Sequence, residues 1–147
     1  MTHPRKRHVL YPDFVARLTN LPLGELRALG VTCLAFDLDH TLAPGRTRLI
    51  SSAYVEYLHG LKNAGFQLIL ASNALQNLET HAAKIGSLHV QATLVSRKPL
   101  RGYFRRLAEI SGRPPREIAM IGDHLVMDII GGNLAGLVTV KVDRLRR

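Results

Sequence analysis

Val31–Leu38 is an apolar segment that runs into two carboxylates, Asp37 and Asp39. A strand without polar alternation is buried on both faces, which occurs in parallel sheets covered by helices on either side. The downstream sequence repeats the theme. Ser51-Ser52 precedes apolar residues at helical spacing, Tyr54, Val55, Leu58 and Leu61, and Gly65 ends them, the pattern of a capped amphipathic helix. Further strands are expected at Phe66–Ala71, Val90–Val95, Ile118–Ile121 and Leu137–Val142, with helices at Leu75–Ile85, Leu100–Ile110 and Leu125–Ala135 between them. Five strands alternating with four helices predict an α/β fold, a three-layer α/β/α Rossmann-like sandwich around a five-stranded parallel sheet. Upstream, Pro12, Pro22 and Gly24 punctuate a basic lead-in, residues 1–30, with short helices expected at Asp13–Leu18 and Leu23–Leu29. The core is expected over 31–142, inside one domain spanning 1–147.

A chain of 147 residues that is 46% hydrophobic builds one ordinary core and is not a disordered tail. Its lone cysteine, Cys33, lies within the apolar segment. That excludes an internal disulfide and a cysteine metal cluster, and it suggests a reducing, cytoplasmic setting. No run reaches the roughly 18 apolar residues of a spanning helix, and Met1–His8 is not followed by a signal-peptide core. A soluble or peripheral protein is expected. Four of the 11 acids, Asp37, Asp39, Asp123 and Asp128, sit in two short motifs, leaving seven elsewhere against 20 Lys+Arg. So basic a surface either serves solubility or suits anionic partners: phosphorylated substrates, anionic lipid headgroups or nucleic acid.

In parallel sheets, ligands gather beyond the carboxyl ends of the strands, and those ends carry this chain's reactive groups. Asp37 and Asp39, two apart, point to one side if extended geometry persists. Paired carboxylates there can act as nucleophile, acid/base or hard-cation ligand, or can simply solvate a turn. The next strand ends in Ser72-Asn73, where a hydroxyl and neighbouring N–H groups could hold a phosphoryl oxygen or cap the following helix. Lys98, in Arg97-Lys98-Pro99, could neutralise phosphate charge at the sheet edge. Asp123 ends a further strand and would complete an oxygen-rich site suited to Mg²⁺, while Asp128 either joins it or favours its own helix N-terminus.

The ordered set Asp37-x-Asp39-x-Thr41, Ser72, Lys98 and Gly122-Asp123-x₄-Asp128 resembles the haloacid dehalogenase superfamily of aspartate-nucleophile phosphatases. The resemblance implies that Asp37 attacks phosphorus to form an aspartyl-phosphate, and that Asp39 protonates the leaving group and then activates water. It implies that Thr41, Ser72 and Asn73 hold the phosphoryl group and that Lys98 stabilises Asp37 and the transferring charge. Mg²⁺ would be held by Asp37, the Asp39 carbonyl and Asp123, with Asp128 a further candidate ligand. Only 24 residues separate Thr41 from Phe66, and 25 separate Ser72 from Lys98, so neither gap has room for a cap domain. An open site is expected, suited to a phosphate presented by something large or covered by a second copy in a homo-oligomer.

Leu10-Tyr11-Pro12-Asp13, Asp37–Leu42, Arg97-Lys98-Pro99 and Gly122–Asn133 look like the YqeG-type capless subfamily. That group is similar to phosphatases converting phosphatidylglycerophosphate to phosphatidylglycerol. The likeness departs at His40 and Ala74, where asparagine is expected, and the sequence stops at Arg147, short of a longer C-terminal segment. A phospholipid substrate implies peripheral contact with an anionic membrane. Arg101, Arg105 and Arg106 would form a cationic face opposite a buried stripe of Leu100, Phe104 and Leu107, with further patches at Arg5-Lys6-Arg7 and at Arg144, Arg146 and Arg147. Val9, Leu10, Tyr11, Phe14, Val15 and Leu18 either dip into the interface or pack against the domain. The rivals are the same chemistry on a soluble phosphorylated metabolite, and a basic nucleic-acid or ribonucleoprotein module with a relic site. With no stacking platform or nucleic-acid motif, DNA is not an expected partner.

Overall fold

The apolar segment after Gly30 forms the strand Cys33–Phe36, buried along its whole length. The computed structural model describes residues 8–45, 49–74 and 78–146. In chain order its elements are β1 (Phe14–Val15), α1 (Leu23–Ala28), β2 (Cys33–Phe36), α2 (Ser52–Asn63), β3 (Gln67–Ser72), α3 (Leu78–Ile85), β4 (Leu88–Gln91), α4 (Arg101–Ser111), β5 (Ile118–Gly122), α5 (Gly131–Leu134) and β6 (Val138–Lys141). A 3₁₀ turn, Pro115–Glu117, leads into β5, and a π-helical turn, Leu125–Ile130, leads into α5. The strands lie in the order β1-β6-β5-β2-β3-β4, every neighbouring pair parallel. The Rossmann-like parallel α/β fold is as the sequence predicts, but the sheet has six strands rather than five.

Alternate residues of β2 face opposite layers, as the two-residue period of a strand requires. Leu34 and Phe36 pack with Leu26, Leu58, Leu61, Leu78 and Ile85 from α1, α2 and α3. Cys33 and Ala35 pack on the other face with Tyr103, Phe104 and Leu107 of α4. Each large side chain so buried contributes about 1.5–3 kcal/mol, so the strand carrying the first carboxylates is held from both sides. Burial also pushes the Cys33 thiol up to about 12, leaving it protonated and inert.

The sixth strand comes from the lead-in. Asp13–Leu18 is not the expected helix: Phe14 and Val15 pair with Val140 and Lys141, and the Ala16 N–H donates to the Lys141 carbonyl at 3.0 Å. Six residues are too few to sustain an isolated helix, whereas β6 offers an edge with open hydrogen-bonding groups. Side chains fix the attachment. Asp13 Oδ2 accepts from the Thr139 N–H at 2.9 Å, and Asn133 donates to the carbonyls of Val9 and Tyr11 at 3.0 and 2.8 Å while accepting from Thr139 Oγ1 at 2.8 Å. The Gly131-Gly132-Asn133 segment therefore ties the lead-in to the sheet.

Other boundaries move for local reasons. The strand expected at Val90–Val95 is Leu88–Gln91, because its partner β3 ends at Ser72, opposite Gln91. Thr93 N–H then donates to the Ser96 carbonyl at 2.8 Å, and Thr93 Oγ1 accepts from the Ser96 N–H at 2.9 Å, a turn that throws Leu94 and Val95 outward. Just ahead of α4, Leu100 is half exposed instead of belonging to the buried stripe, and Tyr103 within the helix is buried instead. The helix expected from Leu125 starts as a π turn. The first turn of the helix expected at Leu75, together with Arg5, Lys6, Arg7 and Arg147, lies outside the described residues. Among the described residues, no helix is long and apolar enough to cross a membrane.

Candidate active site

β5, β2 and β3 are adjacent in the sheet, so Asp123, Asp37 and Ser72, each at or just past a strand's last residue, meet at one edge. An open cleft of about 520 Å³ lies there. Asp37, Asp39, Ser72, Asn73, Lys98, Asp123 and Asp128 all line it, joined by His40, His124, Met127 and Arg144. Seven of the eight residues singled out in the sequence are thus brought together. The eighth, Thr41, is buried beside them: its hydroxyl donates to Asp123 Oδ1 at 3.1 Å.

Lys98 is not the sheet-edge lysine expected but a buried one, 2% exposed. Its Nζ lies 3.0 Å from Asp37 Oδ1 and 2.5 Å from Asp128 Oδ1. Asn73 sets the loop that carries it: the amide donates to the Lys98 carbonyl at 2.9 Å and accepts from the Lys98 N–H at 2.8 Å. Ser72 Oγ accepts from the Ala74 N–H at 3.0 Å, shaping the turn out of β3. Beneath both, the Tyr103 hydroxyl reaches the carbonyls of Val90 and Ser72 at 2.9 and 3.2 Å, pinning the ends of β4 and β3.

Asp128 lines the cleft and at the same time lies in the first turn of its own helical segment. It is fully buried, with Oδ2 accepting from the His124 N–H at 3.2 Å and Oδ1 held by Lys98. The π turn at Leu125–Ile130 presents it inward, a helical irregularity that recurs at functional sites. Gly122 makes the approach possible, since a Cβ there would stand 2.1 Å from Asp128 Oδ2.

The electrostatics follow from this crowding. Burial alone would lower the Lys98 pKa, but the carboxylates of Asp128 and Asp37 outweigh it and hold the ammonium above its ordinary range. Burial pushes Asp128 up to about 6, with Lys98 pulling the other way. Asp123 is also raised, first by burial and then by the charge of Asp37, with the Thr41 hydrogen bond opposing. One carboxylate oxygen each from Asp37, Asp123 and Asp128 lies within 4.8 Å of the others. Such an all-oxygen, like-charged group is what a hard divalent cation relieves, so these residues fit Mg²⁺.

His40 has φ 63°, a left-handed conformation that side chains adopt uncommonly and that Asn, Asp and His tolerate best. The backbone therefore explains why histidine can stand where asparagine was expected. Its carbonyl accepts from the Leu145 N–H at 2.6 Å, and Arg144 Nη2 lies 3.0 Å from its Nε2.

A family model for haloacid dehalogenase-like hydrolase matches residues 12–136, most of the chain, a span that holds Asp37, Asp39, Thr41, Ser72, Asn73, Lys98, Asp123 and Asp128. The chain belongs to the haloacid dehalogenase-like hydrolases. This hydrolase is similar to Probable phosphatase YqeG of Bacillus subtilis (strain 168), 25% identical over 138 residues that cover 93% of this chain and 78% of that one. Its fold is similar to that of a protein from Corynebacterium glutamicum ATCC 13032, at 20% identity and a TM-score of 0.62 over 78% of this chain and 87% of that one. It is also similar to 3-deoxy-D-manno-octulosonate 8-phosphate phosphatase from Moraxella catarrhalis, crystallised with magnesium ion, phosphate ion and KDO, at 19% identity and a TM-score of 0.54 over 69% of this chain and 63% of that one.

Tyr103 and Arg144, as well as the lining residues His124 and Met127, escaped the sequence reading of this hydrolase's site. Tyr103 carried a signal, a polar-tipped aromatic one position off the assumed helix stripe. Arg144 was counted only as terminal positive charge, and nothing local in the sequence marks its meeting with His40.

Proposed function

We propose that the protein is a capless, Mg²⁺-dependent phosphomonoesterase acting through an aspartyl-phosphate, with phosphatidylglycerophosphate at the cytoplasmic membrane surface as substrate. In this mechanism an Asp37 carboxylate oxygen attacks phosphorus, the bond to the ester oxygen breaks, and Asp39 gives the leaving alkoxide its proton. Asp39 then takes a proton from water, whose oxygen attacks the acyl phosphate phosphorus, releasing phosphate and restoring the Asp37 carboxylate. Lys98 keeps Asp37 oriented and offsets the charge that builds on the phosphoryl oxygens, and Ser72 offers a hydroxyl to them. Thr41 steadies Asp123 and Asn73 steadies Lys98, so both act as positioning residues. Asp37 and Asp123, with Asp128 beside them, would hold Mg²⁺, which supplies Lewis-acid neutralisation of phosphate charge when bound.

The observation that carries the lipid reading is the character of the site's surroundings. The turn after β4 exposes Leu94 and Val95 at 82% and 86%, the segment into α4 exposes Leu100, and the turn after β5 exposes Leu125 and Val126. These segments all leave the carboxyl edge of the parallel sheet, where the cleft opens, and Arg97 and Arg101 stand exposed among them. Apolar tips interspersed with cations match an anionic lipid surface, each near-surface charge contributing about 1 kcal/mol. The relative named as a phosphatase supports the reaction class.

The test is phosphate release from vesicles containing phosphatidylglycerophosphate, with and without Mg²⁺, comparing the wild type with Asp37→Asn. Metal-dependent release that the substitution abolishes is expected. Silence on vesicles alongside Asp37-dependent hydrolysis of soluble phosphates would discard the lipid and leave the alternative, a phosphatase of a soluble phosphorylated metabolite.

A further inference from the structure

We propose that Arg144, positioned by the ring of His40, forms a second oxyanion subsite at the mouth of the cleft, which takes a phosphodiester on the substrate beyond the scissile phosphate. The inference deepens the reading above and rests on it for the position of the scissile phosphate at Asp37.

Two cationic side chains line the cleft among the described residues, Lys98 and Arg144. They are placed for different tasks. Lys98 is buried and committed to Asp37 and Asp128. Arg144 is exposed at the rim and meets a ring nitrogen, His40 Nε2, at 3.0 Å. A guanidinium can only donate, so the ring nitrogen stands on the accepting side of this contact. That contact occupies one edge of a planar group with five N–H donors, and the rest of the fork remains for a bidentate oxyanion.

The arginine is also held in place, which a merely solvated arginine is not. Beyond β6, the Val142 N–H donates to the Gly122 carbonyl at 3.1 Å, and the Leu145 N–H donates to the His40 carbonyl at 2.6 Å. The chain on both sides of Arg144 is therefore stapled, to the end of β5 and to the loop after β2. The His40 ring is itself packed on Gly45, where a Cβ would stand 2.2 Å from the ring. Ordering the arginine in advance lowers the entropy that binding must overcome.

Charge gives the arrangement a purpose. The cleft wall carries Asp37, Asp39, Asp123 and Asp128. An Mg²⁺ ion and Lys98 serve the scissile phosphate, but a second anion entering the same mouth would still meet this acidic field. Arg144 is the cation placed to receive it.

The test measures competitive inhibition of p-nitrophenyl phosphate hydrolysis by two soluble compounds, glycerol 3-phosphate and glycerophosphoglycerol phosphate. The second adds a phosphodiester to the same kind of monoester, and neither needs a membrane. The wild type is expected to bind the doubly anionic compound more tightly, and Arg144→Gln to reduce that preference about tenfold. Arg144→Lys keeps the charge but not the fork and should restore part of it, while His40→Ala, which leaves the arginine unpositioned, should lower it by a smaller factor. Equal inhibition constants for the two compounds in the wild type, or a preference unchanged within twofold in Arg144→Gln, would overturn the proposal. The constants are readable whether or not either compound is hydrolysed. A preserved Arg144-dependent preference with no release from vesicles therefore sinks the lipid substrate while the subsite stands.

Discussion

Replacing Asp128 with asparagine isolates what the buried carboxylate does for Lys98. Both Asp128 oxygens face donors, Lys98 Nζ at 2.5 Å and the His124 N–H at 3.2 Å. An asparagine amide is nearly isosteric but has one oxygen and one NH₂, so either rotamer sets donor against donor in a fully buried place. An unsatisfied buried group costs about 1–3 kcal/mol, and breaking one partner of a buried charge pair costs about 3–5 kcal/mol. Relief of the desolvated carboxylate offsets part of this, leaving a net loss of about 3 kcal/mol. For a chain of this size that is a fall of about 6–12 °C in Tm. Asp37→Asn is the control: its carboxylate shares the same lysine but faces the open cleft, at 12% side-chain exposure against 0% for Asp128, so its amide can be solvated and the cost should stay below about 1 kcal/mol. Thermal unfolding followed by circular dichroism, without divalent cations, measures both. If Asp128→Asn melts within 2 °C of the wild type by that assay, about the smallest shift expected per kcal/mol, the assignment of Asp128 as the lysine's anchor is wrong.

Three other outcomes follow from the same geometry. Gly122→Ala should cost about 1–3 kcal/mol and depress kcat by displacing Asp128 and, through it, Lys98; a crystal structure with the Lys98 contacts unmoved and full activity would refute this. Metal ligands must be deprotonated to bind, and Asp123 and Asp128 are both raised, Asp128 to about 6. Mg²⁺ affinity by calorimetry should therefore weaken as pH falls through about 6, by about tenfold per unit once a proton must be displaced, and a flat profile between pH 7.5 and 5 would contradict the carboxylate site. Tyr103→Phe removes the buried hydroxyl between Val90 and Ser72 and should lower stability by about 1–2 kcal/mol, read as a shift in the urea midpoint with unchanged slope.

How much of this was legible in the sequence depended on how local each cause is. β2, β3, β5 and β6 lie within one or two residues of the expected strands, because continuous burial leaves a composition signal in the segment itself. Their carboxyl-terminal residues meet because a parallel sheet aligns strand ends, so Asp37, Ser72 and Asp123 could be grouped before any coordinates. The sixth strand could not, since Phe14 and Val15 are strand only against the edge of β6, more than a hundred residues away. Leu94 and Val95 read as strand by their branched side chains, and only the length of β3 cuts β4 short. The depth of Lys98, the inward turn of Asp128 and the meeting of His40 with Arg144 depend on tertiary packing, which no spacing rule encodes.

The central claim is that Asp37 is the nucleophile, and the most direct measurement is to catch its phosphoryl group. The protein is mixed with p-nitrophenyl phosphate and Mg²⁺, quenched in acid during turnover, digested and weighed by mass spectrometry. The account predicts that the peptide carrying Asp37 gains the mass of one phosphoryl group, that fragmentation places it on Asp37, and that Asp37→Asn shows neither label nor turnover. Turnover with no labelled peptide, or a label on a different residue, would contradict it.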